Sequence, residues 1–431
     1  MDVRRNIYNL TPAEVTRLTS ALNTLKTNGT YDMFIHRHHD AMMRASLMTN
    51  ETGTLRNSAH RGPAFGPWHR WYLRDLELQL QTVTPGLTLP YWSWSADGAL
   101  PNPAAAPLWS ANYIGGDGTG PNDFVANGPF QNWMALVMTP SMTLVPRGVP
   151  GIIRRLGRDA QGAPTLPRVL DVTNSFSESA YDSLPWSESQ TSAPSFRNRL
   201  EGWLLRPGDQ TPNGRMHNRV HLWVGGDMLP GTSPNDPVFF LHHANVDRLW
   251  AQWRATHPTV PYAPAAGGPP GHSLNDAMFD LGAPGITPAS TLDHHCMGYM
   301  YDDESPGQSA DACPPNAVMT VSPGQLAQIS ACFTNIGATS WVKGTAGQVN
   351  LGQLCPHAAI AAWNSNWLSA TTYASTTQAV VAPGQIAFFL FSILPPAGTA
   401  PGQYVIEGDL IAASTGRPLA APTFKQIVNV H

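Results

Sequence analysis

Over roughly the first two thirds of the chain, hydrophobic positions recur at helical spacing. In "TYDMFIHRHHDAMMRA", Tyr31, Ile35, His38 and Met42 fall at i, i+4, i+7 and i+11, one face of a helix. A second helix is expected to begin near "FGPWHRWYLRDLELQLQ", with Pro67 early and His69 in its first turns, and a third contains "HNRVH". A fourth is "NDPVFFLHHANVDRLWAQWR", with Asp236 as N-cap and Pro237 at its first helical position. Ahead of these, Thr11, Pro12 and Glu14 make the N-cap, first turn and capping box of an opening helix. From about residue 317 the period shortens. "QISACF" (Gln328–Phe333), "QIAFFLFSI" (Gln385–Ile393), "QYVIEGDLI" (Gln403–Ile411) and "FKQIVNV" (Phe424–Val430) read as strands. The turn signals "SPGQ", "APGQ" and "PPAGTAPGQ" separate them, which predicts a β-sandwich. The expected division is a mainly α domain over 1–303, a polar, proline-bearing linker over 304–316 and an all-β sandwich domain over 317–431.

Composition agrees with two domains, because 431 residues exceed what one core organises. Hydrophobic content of 42% against 13% charged describes a globular chain of low surface charge. A net charge of −4 gives no reason to expect nucleic acid or an anionic membrane surface as partner. No apolar run approaches the roughly 18 residues that span a bilayer. The opening "MDVRRNIYNLTPAEVTRL" is too polar for a signal peptide, so a cytoplasmic location, or export by a separate carrier, is expected.

Cys296, Cys313, Cys332 and Cys355 all lie in the last third, so any metal bound earlier uses nitrogen and oxygen ligands. Four cysteines allow three disulfide pairings or four free thiols. Two disulfides would imply an oxidising compartment. The favoured pair is Cys332 with Cys355, both inside the expected sheet domain.

The histidines carry the chemistry. His217 and His221 stand at i and i+4, so on a helix their side chains leave within about 40° of each other and can converge on one ion. His242 and His243 differ by about 100°, so only one of them is expected to join the same neighbours. Asp247, four residues after His243, is placed to accept its ring N–H, which selects His243 as ligand and leaves His242 as a supporting residue. Upstream, His38, His60 and His69 form a second set. A lone i, i+4 pair is more often surface chemistry than a site. Two sets of three imidazoles without thiolate instead read as two open three-coordinate ions of copper, zinc, iron or nickel.

"AHRGPAFGPWHRWYLRDLE" (Ala59–Glu77), "LPYWSWS" (Leu89–Ser95) and "SAPSFRNRLEGW" (Ser192–Trp203) resemble the bacterial tyrosinases, type 3 copper proteins with a central four-helix bundle. By position the resemblance implies two copper ions, the first on His38, His60 and His69 and the second on His217, His221 and His243. The step of nine residues from His60 to His69, and of twenty-two from His221 to His243, keeps the family pattern. "GYMYD" (Gly298–Asp302) resembles the tyrosine motif that closes such domains near an N-terminal arginine, here Arg4 or Arg5. In the tail, Asn335, Gly337 and Trp341 resemble the pattern of immunoglobulin-like modules.

The implied activity is O2-dependent ortho-hydroxylation of monophenols and oxidation of catechols to ortho-quinones. The partners are small phenols and O2; a copper-delivery partner and the oligomeric state are left open. The resemblance also implies that Glu201 and Asn218 hold a water that acts as general base toward the phenol. "LLRPGDQTPNGRM" lengthens the step from Glu201 to His217 and could move Glu201. Gly231 is expected at the pocket mouth as an open entrance, with Phe65 and Phe239 as walls packing the imidazoles. Ser58 stands two residues before His60, where some relatives carry a cysteine crosslinked to histidine, so no such thioether can form. His36 and His39 are read as structural or exposed, and "DHHC" (Asp293–Cys296) as incidental. The alternatives are a catechol or ortho-aminophenol oxidase, a haemocyanin-like O2 carrier with a capped pocket, and a dinuclear zinc hydrolase. The last would need bridging carboxylates, and none fall at suitable spacing. The tail domain is expected either to shield the site or to serve as a binding module.

Overall fold

The computed structural model describes residues 1–49, 51, 55–159, 163–188, 194–203, 215–305, 307–357 and 359–431. Two units divide the chain, a helical one over Arg5–Leu292 and a β-rich one that joins Met1–Arg4 to Asp293–His431.

In the helical unit the expected helices form where the pattern put them. α1 (Pro12–Thr27) opens on its capping box: Thr11 accepts from the Glu14 N–H, and the Glu14 carboxylate accepts from the Thr11 N–H. α2 (Thr30–Met43) and α3 (Phe65–Val83) follow, then the short α4 (Trp94–Asp97), α5 (Val169–Phe176) and α6 (Phe196–Glu201). α7 (Met216–Val224) and α8 (Val238–Thr256) complete the set. α8 starts one residue after the expected Pro237; the Asp236 carboxylate still accepts from the Val238 N–H at 3.1 Å while its two oxygens bind the buried Arg154.

Aromatic rings fill the space between the long helices. Tyr31, Phe34, Tyr72 and Phe240 meet with centroids 5.4–6.2 Å apart, and the Tyr72 hydroxyl donates to the Phe34 carbonyl at 2.6 Å. A buried ion pair between Arg70 on α3 and Asp247 on α8, at 2.5 Å, ties these two helices together. Among the described residues no helix is long and apolar enough to cross a membrane.

In the β unit, Asp2–Arg4 pairs in parallel with Tyr299–Tyr301. The Arg4 guanidinium lies 3.5 Å over the Tyr299 ring and donates to the Tyr301 hydroxyl at 3.3 Å. Arg4, not Arg5, is therefore the partner of the tyrosine motif. One sheet orders Thr372–Ser375, Val349–Gly352, Gly402–Ala412, Phe424–Val430 and Met319–Val321; another orders Ile386–Ile393, Ala327–Asn335 and Ala310–Ala312. Strict alternation sends Ala387, Phe389 and Phe391 into a core shared with Ile329, Phe333, Trp341, Ile406 and Val428. Asn335 is wholly buried and donates to the Thr339 and Val381 carbonyls, which fixes the turn ahead of the buried Trp341.

Four expectations change here. The segment read as a linker carries the strand Ala310–Ala312, paired antiparallel with Phe333–Asn335. The units divide at Leu292/Asp293 rather than at 303, because the tyrosine motif pairs with the N-terminal strand. The disulfides are Cys296–Cys355 and Cys313–Cys332, not Cys332–Cys355. The strand in the supposed linker explains the second of these: Ala312 sits opposite Phe333, and the Cys313 N–H donates to the Cys332 carbonyl at 3.2 Å. "DHHC" also has a defined role, since His294 and His295 bond the two Glu304 carboxylate oxygens at 2.8 and 2.7 Å.

Candidate metal centre

α7 and α8 bring His217, His221 and His243 together with their Nε2 atoms 3.1 to 3.3 Å apart. For His217 and His221 the other ring nitrogens explain why their 3.1 Å contact is not an ordinary hydrogen bond. His221 donates its Nδ1–H to the Met228 carbonyl at 2.7 Å, and His217 donates to the Asn218 Oδ1 at 2.9 Å. A neutral imidazole protonated at Nδ1 presents a bare lone pair at Nε2. Such lone pairs at this distance repel unless a cation lies among them. Nitrogens arranged tetrahedrally about a metal with bonds of about 2.0 Å stand about 3.3 Å apart, so the triangle fits an ion.

The first set is built in the same way from α2, the turn before α3, and α3 itself. His38 donates Nδ1–H to the Gly231 carbonyl at 2.7 Å, and His69 to the Phe65 carbonyl at 2.8 Å. Their Nε2 atoms are buried without a hydrogen-bond partner among the described residues. His60 completes the set, each histidine offering one nitrogen within 4.8 Å of the others. His60 differs in that its own Nδ1 has no hydrogen-bond partner among the described residues. Burial holds all six imidazoles neutral, His38 at about 3 and His221 at about 4, the form in which imidazole binds a metal.

The walls are aromatic. The Phe65 ring lies 4.9 Å from both His69 and His217, and Phe239 stacks on His243 at 4.0 Å and meets His38 at 4.9 Å. His242 is also buried against the site: its ring stacks on His217 with centroids 5.1 Å apart, although the 100° offset suggested that only one of the adjacent pair would join these neighbours. α8 is buried nearly all round, so both directions face protein.

Glu201 is wholly buried at the end of α6. Its carboxylate accepts the Arg61 N–H at 2.6 Å and Arg197 Nη1 at 3.0 Å. Burial raises its pKa, and Arg197, Trp203 and the Arg61 N–H oppose that rise. The Glu201 carbonyl stands 3.4 Å from His217 Nδ1. Gly202 makes this closeness possible: its φ is +104°, and a Cβ there would fall 1.9 Å from the Arg215 carbonyl oxygen. Of the lengthened segment between Glu201 and His217, residues 204–214 lie outside the described residues.

Two expected roles are corrected. Asp247 does not hold His243: its carboxylate pairs with Arg70, and among the described residues His243 Nδ1 has no hydrogen-bond partner. A shared helix face put the two residues near each other, but the guanidinium arriving from α3 is the stronger partner. Gly231 opens no space through its missing side chain, because a Cβ there would lie 3.3 Å from Met42 and 3.7 Å from His39. What Gly231 gives the site is its carbonyl, the acceptor for His38.

Sequence reasoning missed Asn57 and His272. Asn57 Oδ1 accepts the N–H groups of Ala59 and His60 at 3.1 and 2.8 Å. His272 lies more than two hundred residues further along yet bonds both ends of the same turn. Neither sits in a periodic pattern, so only the spacing of Asn57 three residues before His60 offered a local signal.

Comparison with known proteins agrees with this geometry. The family described as the common central domain of tyrosinase matches residues 28–256, a span containing all six histidines. A tyrosinase of Streptomyces antibioticus is 37% identical over 298 residues, covering 68% of this chain and 97% of the relative. Grixazone synthase of Streptomyces griseus is 34% identical over 316 residues, covering 70% of this chain and 99% of that protein. Among solved structures, a variant polyphenol oxidase from Thermothelomyces thermophila superposes with a TM-score of 0.50 at 20% identity, covering 70% of this chain and 88% of that one, which shows the shared fold. Matched across both of its histidine sets, and over nearly the whole length of relatives more than a third identical to it, the chain belongs to the tyrosinase family of dicopper oxidoreductases.

Proposed function

We propose that this protein is a phenol oxidase of the tyrosinase type, which ortho-hydroxylates monophenols and oxidises catechols to ortho-quinones with O2. The observation that carries the reading is the triangle of Nε2 atoms, 3.1–3.3 Å on a side, beside a second buried histidine set. His38, His60 and His69 would hold one copper and His217, His221 and His243 the other. The bound pair supplies O2 activation and accepts the electrons of the phenol. The chain's own residues do the rest. Backbone carbonyls of Gly231, Phe65 and Met228 orient three of the imidazoles, and Phe65 and Phe239 exclude water and fix ring planes.

Asn218 fixes the tautomer of His217, and its amide Nδ2 is buried without a hydrogen-bond partner among the described residues. This amide is suited to hold the water that takes the phenol proton, a role the family resemblance also gives to Glu201. A second reading, a catechol or aminophenol oxidase without monophenol hydroxylation, draws on the donors already bound to Glu201, which weaken it as a base. Matched monophenol and catechol offered to protein loaded with two equivalents of copper distinguish the two. Quinone from both supports the first reading, and quinone from the catechol alone supports the second. Reversible O2 binding with no quinone from either would exclude both.

A further inference from the structure

His272 is wholly buried in a loop after α8, and its two ring nitrogens reach the two ends of one turn. Nδ1 accepts the Ala64 N–H at 3.0 Å. Nε2 donates to the Asn57 carbonyl at 3.1 Å. A backbone N–H can only donate and a carbonyl can only accept, so both bonds require one neutral tautomer, protonated at Nε2. Burial and the nearby Arg56 charge hold His272 down at about 3, in keeping with that form.

The turn so clasped presents His60. Asn57 bonds His60 from both sides, its Oδ1 accepting the His60 N–H at 2.8 Å and its own N–H reaching the His60 carbonyl at 3.1 Å. Ala64 is the N-cap of α3, which carries His69. One imidazole therefore fixes the span from the His60 turn to the start of the His69 helix. Space has been made for it: a Cβ on Gly62 would come within 2.9 Å of the His272 ring. The Tyr262 hydroxyl anchors His272 in turn, donating to its carbonyl at 2.8 Å.

His60 depends on this support. His38, His69, His217 and His221 each donate a ring N–H to an oxygen, whereas among the described residues His60 Nδ1, like His243 Nδ1, has no hydrogen-bond partner. Its ring is positioned by its backbone and by packing. We propose that His272 is the positioning residue for the first copper, placing His60 through the Asn57–Ala64 turn. This rests on reading His38, His60 and His69 as a copper site.

The test is copper occupancy of the full chain, read by dialysis against a graded chelator and metal analysis. His60→Ala and His221→Ala identify which copper is lost. His272→Phe keeps the ring volume and removes both bonds; His272→Asn restores an acceptor for the Ala64 N–H. The expected result is a first copper held about 10- to 100-fold more weakly in His272→Phe and less weakened in His272→Asn, with the second copper at wild-type affinity. Wild-type affinity at both sites in His272→Phe would overturn the inference. So would equal weakening of both coppers in His272→Asn, which decides the matter if His272→Phe does not fold. If His60→Ala itself keeps both coppers, the reading of the first site fails instead.

Discussion

His69 and His243 lie ring on ring, with centroids 4.4 Å apart and planes 17° from parallel. One comes from α3 and the other from α8, and the buried Arg70–Asp247 pair fixes the same two helices. The two histidine sets meet most closely through this pair, while His217 approaches the His60 and His69 rings at 5.8 and 6.3 Å.

This contact predicts unequal effects of removing histidines from the first set. His69→Ala should lose the first copper and also weaken the second about tenfold, because His243 loses the ring it rests on. His38→Ala should lose the first copper and leave the second within about twofold, a minor change on the same scale. Its ring neighbours are His60, His69, Trp68, Tyr72 and Phe239. Metal analysis of both variants across a copper titration checks this, and identical second-site affinities would remove the coupling.

Glu201→Gln keeps the shape that accepts the Arg61 N–H and removes the charge. If Glu201 supports the water beside Asn218, monophenol turnover should fall by about 100-fold while catechol turnover falls much less. The check is the ratio of kcat/KM for a matched monophenol and catechol. An equal loss on both substrates would make Glu201 a purely structural partner of Arg197.

Acid should unfold the copper-free protein through its histidines. Burial depresses the imidazoles of the site, with His38 at about 3 and His221 at about 4, while the unfolded chain takes up protons near pH 6.5. The unfolded state then binds more protons in this window, so stability is present above about pH 6.5 and falls as pH drops toward about 4. His295 acts oppositely. Burial alone would lower its pKa, but Asp293 and Glu304 outweigh burial and hold it at about 9. Its contribution is complete below about pH 6.5 and lost as pH rises through about 9. Thermal melts of the copper-free chain should therefore decline on both sides of neutrality, and His295→Gln should flatten the alkaline side alone. Melts that hold steady from pH 6.5 to 4 would contradict the buried, neutral imidazoles.

Peptide mapping without reduction should find Cys296 joined to Cys355 and Cys313 to Cys332. Closing spans of 59 and 19 residues, the two bridges are worth about 4 and about 3 kcal/mol on chain-entropy grounds. Reduction should therefore lower the melting temperature of the β unit before that of the helical unit. A Cys332–Cys355 peptide would refute the strand pairing of Ala310–Ala312.

Much of this was legible in the sequence because it is local. The i, i+4 spacing of His217 and His221, the capping box at Thr11 and the alternation in Ile386–Ile393 each follow from the geometry of a single element, so residue order alone determined them. The sequence also determined which residue types were at hand: six imidazoles in two sets and no cysteine near them. Tertiary structure decided everything that depends on partners distant in the chain. It gave Asp247 to Arg70 rather than to His243, joined Cys313 to Cys332 through a strand lying in an apparent linker, and turned the Gly231 carbonyl toward His38. It also brought His272 across more than two hundred residues to the turn that carries His60. Periodicity reports which face of an element is apolar, but which polar groups meet there is set by the packing of elements whose order in space the pattern does not encode.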